Sequence, residues 1–433
     1  MVSILAVVMA MRVAPAFPRA GGAVELEGHG FGHGLGMGLW GAHGTAVKNP
    51  DKSAEEIVSY YFPGVRLGKL PGESIRAWLD YDTPLADTMV TAGDPAPTAG
   101  RQVTPFEIWD LSKDARVDAA SDAWPFWRVV AAGGGMLQIQ RAIDSGGGPV
   151  GWGSPPQQVG TPTPGPVEFR PPSGSHAASE RELLQVGLPG SPGWRYFRGA
   201  VRSVPEGSDV YTVNVVALQE YLYGVMRLEG APGRWDGPGR EGVRAQTIVA
   251  RSFALHRRAQ AVAAGKPYDL CSTSNCQNYL GWGFVGSRGE VTRLEDPRSS
   301  AAVDSTALGD GTLQALVQGE PPAPFPGLYS SSSGGHTRPA EHPPLAGVPD
   351  SNDAIRENPN HRWRASVPVS SVEAAFPQIG TFQALVVLER NGLGDWGGRV
   401  TRVRVDGTAG SVEVTGVEMR RRLGLKSDWF RVL

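Results

Sequence analysis

The sequence predicts an α+β fold, strand-rich, with one long helix. Three observations lead there. The 58 glycines and 36 prolines exceed a fifth of the 433 residues, a density that favours turns and short strands over long helices. Short apolar segments bounded by turn residues recur along most of the chain. Against that background residues 240–264 run without proline, with Val243, Ile248, Phe253 and Leu255 set among alanines, and read as the longest helix.

Composition sets limits on function. Apolar content of 40% with 19% charged residues fits a folded globular chain, and the length suits two or three domains. A net charge of -2 removes the polycation drive toward nucleic acid or an anionic membrane. Residues 2–11 form an apolar run, followed by Ala14-Pro15-Ala16 and Ala20. The run is too short to span a bilayer, so residues 1–20 read as a secretory signal peptide, although the usual basic start is missing. No later stretch approaches the roughly eighteen apolar residues of a spanning helix, so no transmembrane segment is expected.

The elements follow in order. Residues 24–45 are glycine-rich and hold three of the eight histidines. Residues 53–62 read as a short helix, with Ser53 as N-cap, Glu55 and Glu56 in its first turn, and Pro63-Gly64 as its stop. From 68 to 202 the pattern is β, with strands expected at 75–79, 106–111, 127–131 and 136–139. Within it, 145–174 is rich in Pro, Gly, Ser and Thr and reads as a loop or linker. A strong strand follows at 210–217. A short helix at 218–228 has Leu222, Val225 and Met226 inward; Glu229-Gly230 and Pro232 end it. Residues 267–281 read as a loop, and 301–304, 313–318 and 328–331 as strands. The last seventy residues alternate again, with strands at 384–389, 400–405 and 411–415, a basic helix at 417–423 and a closing segment at 428–433.

Candidate chemistry clusters in a few places. Glu229 sits at a helix end beside Leu228. Partial desolvation there raises a carboxylate's pKa, as a general acid requires, whereas a glutamate solvated on a loop has no such role. Gln246 and Arg251 on the long helix suit hydrogen bonding toward a cleft or, for the arginine, a structural ion pair. Cys271 and Cys276 are the only cysteines, and their spacing leaves a disulfide, half a zinc site and free thiols open. The turn Ser330-Ser331-Ser332-Ser333-Gly334-Gly335 offers backbone N–H groups and hydroxyls to a ligand; a serine nucleophile working with His336 would lack the usual elbow motif. In 28–36, His29 and His33 alternate with glycines, so backbone can approach a ligand while imidazoles hydrogen-bond it.

Taken in order these segments resemble the stage II sporulation protein D family (the SpoIID/LytB domain), which includes cell-wall amidase enhancers. The matching text is Val213 to Val225, Glu229, Arg244-Ala245-Gln246 with Ala250-Arg251-Ser252, Tyr268-Asp269-Leu270-Cys271 to Tyr279, and Tyr329 to Gly335, with a tail from Gly398 to Ser427. Gly30 to Met37 with Trp40-Gly41-Ala42 matches too, but lies at the start of this chain rather than after the tail, as if permuted. The resemblance therefore places residues 21–67 with the catalytic core, makes 68–194 an inserted β-rich region, gives 195–362 as the core itself, and makes 363–433 its C-terminal β-rich part. It also predicts that the strand at 24–28 lies beside 428–433, returning His29 and His33 to a cleft near Glu229.

The resemblance implies an exported, cell-wall-associated lytic transglycosylase acting on peptidoglycan glycan strands, with Glu229 as general acid and base. It implies Gln246, Arg251, Ser331, Ser332, Gly334, His29 and His33 as substrate-binding residues, with Trp235, Tyr279 and Trp282 as stacking candidates. The chemistry requires no cofactor. A structural zinc at Cys271 and Cys276 is disfavoured by Asn275, which stands where zinc-binding members carry histidine. The alternatives are a non-catalytic glycan-binding enhancer with a cell-wall amidase as partner, a serine hydrolase, and an inactive surface scaffold.

Overall fold

The computed structural model describes residues 22–79, 87–91, 106–120, 124–143, 155–173, 182–187, 194–229, 237–285, 290–308, 310–341 and 345–433. The signal-peptide reading of residues 1–20 and the stacking candidate Trp235 lie outside them. The described helices are α1 (Leu39–Lys48), α2 (Ala54–Tyr61), α3 (Leu218–Glu229), α4 (Arg240–Ala263), α5 (Pro297–Asp304), α6 (Val369–Ala375) and α7 (Gly416–Leu423). Strands dominate the remainder, so the α+β class holds, with α4 the longest helix. None of the described helices is long and apolar enough to cross a membrane.

The chain divides into two units, residues 65–327 and residues 1–64 with 328–433. In the first, an eight-stranded and a seven-stranded sheet are built mostly from antiparallel neighbours. The seven-stranded sheet runs Leu270–Cys271, Ser74–Trp78, Asp209–Ala217, Ala200–Glu206, Val167–Arg170, Glu107–Asp110, Ala115–Ala119. The region expected as an insertion, 68–194, therefore shares a sheet with the strands expected as core. This division differs from the one drawn from sequence because sheet partners distant in sequence leave no local mark.

Two local readings are corrected here. The loop expected at 145–174 contains the strands Gln157–Thr163 and Val167–Arg170, the latter inside the seven-stranded sheet. Val167 and Phe169 are fully buried, but so is Glu168, which takes the Arg202 guanidinium at 2.6 Å and also bonds Arg170. A buried carboxylate between two apolar residues blurs the strand pattern. The strand expected at 301–304 is instead α5. Its Asp296 N-cap accepts the Arg298 N–H at 2.9 Å, and Pro297 fills the first turn, where its missing N–H costs nothing.

In the second unit, Ala23–His29 pairs antiparallel with both Arg362–Pro368 and Phe430–Val432. The expected neighbour of the first strand is thus found, with Leu26 opposite Val432 and Gly28 opposite Phe430. A second sheet orders Phe382–Arg390, Val400–Gly407 and Gly410–Val414. Leu26, Trp363, Phe376, Phe382, Val403, Met419 and Phe430 fill the core of this unit. Ser53 caps α2 as expected, accepting the Glu56 N–H at 3.2 Å while the Glu56 carboxylate takes the Ser53 N–H at 2.9 Å. Helix α1 was not legible: Gly38 precedes it without a side-chain cap, and glycines interrupt it.

Candidate active site

In the unit of residues 65–327, α3 follows directly from the strand Asp209–Ala217 and turns Tyr221, Leu222, Val225 and Met226 into the core. Glu229 is the last residue of α3. Its side chain and the segment 230–236 lie outside the described residues.

Helix α4 contributes two of the expected residues. Gln246 is fully buried, and neither its Oε1 nor its Nε2 has a partner among the described residues. A buried amide without partners costs roughly 1–3 kcal/mol, so such a group marks a place where something polar is meant to arrive. Arg251 is fully buried as well, but it is engaged. Its guanidinium donates to Gln219 Oε1 at 2.7 Å, Thr306 Oγ1 at 2.8 Å and the Gln314 carbonyl at 2.8 Å. Burial lowers its pKa to about 9, still above neutrality. Arg251 thereby ties together α3, α4 and the strand Thr312–Gln318 and acts as a positioning residue. Tyr279 and Trp282 are buried too; Tyr279 donates to Asn214 Oδ1 at 2.8 Å and its ring lies 4.7 Å from that of Tyr221, so both read as core.

A charged cluster on α3 escaped sequence reading. Arg198 grips Glu295 through two hydrogen bonds of 2.8 and 2.9 Å and lies 3.7 Å from Glu220. Burial pushes the Glu220 carboxyl up to about 7, against the pull of Arg198. One turn on, Tyr223 donates to Asp304 at 2.5 Å. The available signal was the polar stripe Glu220, Tyr223, Arg227 at helical spacing on an otherwise apolar helix.

Cys271 and Cys276 form a disulfide. Bonded sulfurs are not thiolates, so the pair is a crosslink in this structure. Among the described residues no group of His, Cys, Asp and Glu is arranged to hold a metal ion. Replacing both cysteines by serine is expected to lower stability by about 2 kcal/mol, the loop-closure contribution of so short a ring. Urea unfolding checks this, and an unchanged midpoint would contradict it.

The other unit brings together the glycine–histidine loop and the serine turn. Phe31 and Ser332 exchange backbone hydrogen bonds of 2.9 and 3.1 Å, the Trp363 indole donates to the Gly30 carbonyl at 2.9 Å, and Ser427 Oγ donates to the His29 carbonyl at 2.5 Å. Gly334 stands at φ +78, where a Cβ would lie 2.8 Å from the His29 side chain; only glycine fits. The Ser332 hydroxyl donates to the fully buried Asp353 carboxylate at 2.8 Å, as do the Ser333 and Gly334 N–H groups at 3.1 Å each. His361 Nδ1 lies 2.9 Å from the same carboxylate. The Ser332 hydroxyl is therefore committed to a carboxylate and not to an imidazole. His336 meets the Thr337 carbonyl at 2.7 Å, and no serine–histidine pair supports a nucleophilic hydroxyl among the described residues. Ser331 is half-buried, with Asn360 Nδ2 at 3.5 Å.

The two candidate histidines are both held neutral. His29 is fully buried between the rings of Trp396 and Trp429, and its ring nitrogens have no hydrogen-bond partner among the described residues. Burial first, then the neighbouring His361 and Arg362, lower its pKa to about 4. His33 Nδ1 accepts the Leu35 N–H at 3.0 Å, and burial with the charges of Arg420, Arg399 and Arg338 lowers its pKa to about 4. For both, the folded value lies below the unfolded one. Their contribution to stability is full above about pH 6.5 and is lost as pH falls through about 4. The ring C–H resonances of both are expected to stay still from about pH 8 to pH 5, and a titration centred near 6.5 would contradict this burial.

Residues 206–308 match the SpoIID family, described as "Stage II sporulation protein". No curated protein and no solved structure gives a significant match. The matched span includes α3, α4 and α5, and with them Glu229, Gln246, Arg251 and the disulfide. Residues 206–308 are thus similar to the SpoIID family, and a cell-wall-related role is consistent with that similarity.

Proposed function

We propose that this chain is an exported lytic transglycosylase that cuts peptidoglycan glycan strands after N-acetylmuramic acid, with Glu229 as its one general acid and base. The observation that carries the reading is the position of Glu229 as the last residue of α3, within the span similar to the SpoIID family. The C-terminal end of a helix disfavours negative charge, so a carboxylic acid there holds its proton to higher pH.

Glu229 gives its proton to the glycosidic oxygen, and the bond from that oxygen to the muramyl C1 breaks. The C6 hydroxyl oxygen of the same sugar then bonds C1 and passes its proton to the carboxylate, which restores the acid. The products are an anhydro-ended strand and a strand with a free hydroxyl. The nucleophile is internal, so one carboxylate suffices, unlike the hydrolases that use two. Gln246 is the substrate-binding residue best supported, through its buried, unpartnered amide. Arg251 holds the helices in place. In the other unit Ser331 is the residue proposed to meet glycan, with His33 as a neutral hydrogen-bonding group, while Ser332 and Gly334 keep the turn in shape and His29, packed between Trp396 and Trp429, backs it from within.

Mass spectrometry of purified glycan strands, bare or carrying stem peptides, tests the reaction class: anhydro-ended fragments are expected. Strands bound but left uncut, together with stimulation of a cell-wall amidase, would replace this reading with the non-catalytic enhancer.

A further inference from the structure

Toward the C-terminal end of α4 a cleft of about 280 Å³ opens, entirely within the unit of residues 65–327. Arg257 and Gln260, one turn apart on α4, form one wall. Past the helix, Gly265 at φ +63 turns the chain and brings Lys266 to the rim. The lining is also aromatic: the Trp78 and Tyr268 rings lie 5.0 Å apart, and both cysteines of the Cys271–Cys276 disulfide belong to it.

The charge in this cleft is unbalanced. Asp269, the acid in its lining, is answered by Arg76, whose guanidinium reaches it at 2.6 and 3.0 Å and whose N–H reaches it at 2.8 Å. Arg257 and Lys266 have no ion-pair partner among the described residues, and Arg257 Nε is buried without a hydrogen bond. A guanidinium nitrogen taken from water and left unpaired is costly, and a carboxylate is the partner that its planar fork matches. Beside it, flat aromatic faces suit an apolar ring face or short chain. The volume lies at the small end for ligand sites, enough for a single sugar or a dipeptide.

We propose that this cleft binds a carboxylate carried on a small, partly apolar body, with Arg257 and Lys266 as the anion-binding pair and Trp78 with Tyr268 as the apolar wall. Taken with the proposed action on glycan strands, on which this assignment of source rests, the carboxylate is one borne by the muramyl sugar or by its stem peptide.

Isothermal titration of the full chain with four probes decides it: N-acetylmuramic acid, N-acetylglucosamine, the dipeptide D-alanyl-D-alanine, and inorganic phosphate. Saturable binding of the acid sugar assigns the muramyl source, and binding of the dipeptide assigns the stem peptide. In either case Arg257→Gln and Lys266→Met are each expected to weaken binding by about tenfold, with unchanged circular dichroism, and added salt to weaken it further. Equal binding of the neutral sugar, tighter binding of phosphate, or no binding of either acid at about 10 mM overturns the proposal. So does acid binding that survives in the double variant. Glu229→Gln is expected to bind the probes as the native chain does. A native chain that binds the probes yet releases no anhydro-ended fragments would count against the transglycosylase reading and not against this cleft.

Discussion

Glu229→Gln is expected to reduce release of anhydro-ended fragments by about a hundredfold to ten-thousandfold, the usual range for removal of a general acid and base. Glutamine matches the shape of the side chain but cannot lend a proton to the glycosidic oxygen or take one back. The exchange keeps the size of the side chain at the last residue of α3, so thermal unfolding is expected to stay where it is. Glu229→Asp keeps the acid on a shorter arm and should recover part of the rate, because proton transfer depends on reach as well as acidity. Native rates in Glu229→Gln would exclude Glu229 from the chemistry. A loss of rate accompanied by a lower melting temperature would be read as damage to the helix end.

The largest expected loss of stability comes from Asp353→Ala, at about 3–5 kcal/mol. Asp353 is fully buried and accepts from the Ser332 hydroxyl, the Ser333 and Gly334 N–H groups, and stands against His361. Alanine leaves those donors buried with nothing to receive them, and each such group carries a desolvation cost of roughly 1–3 kcal/mol. Asn358 donates to Ser332 Oγ at 3.2 Å and to the Asp353 carbonyl at 2.8 Å, and its Oδ1 already accepts the Asn360 N–H at 2.9 Å, so it offers these donors no free acceptor. Asp353→Asn retains one carbonyl oxygen and should fall between the two. The urea midpoint reads both variants, and a loss under about 1 kcal/mol for the alanine variant would mean that the serine turn does not depend on this carboxylate.

Local pattern was enough wherever one element carried its own signal. The alanine-rich stretch at 240–264 is α4, the β-branched run at 210–217 is a strand, and Ser53 with Glu56 capped α2 as written. The pairing of 24–28 with the chain end was also legible, through the order of the motifs that the resemblance carried. What escaped depends on partners distant in sequence. Glu168 reads as a surface acid until Arg202 and Arg170 are found around it. Asp353 looks like one residue of a polar loop until the serine turn closes on it. The raised pKa of Glu220 follows from burial that α3's sequence alone does not reveal. Arg251 was assigned to substrate, yet its guanidinium is held by Gln219, Thr306 and Gln314; an alanine-rich helix shows that an arginine is buried and not what it meets.

The central claim is that one carboxyl group moves a proton out and back while the sugar's own hydroxyl does the attacking, with no water consumed. Digestion of bare glycan strands in heavy-oxygen water measures this directly. The account predicts anhydro-muramyl ends with no heavy oxygen incorporated, and their loss in Glu229→Gln. Reducing ends that carry one heavy oxygen would show that water is the nucleophile and would contradict the account.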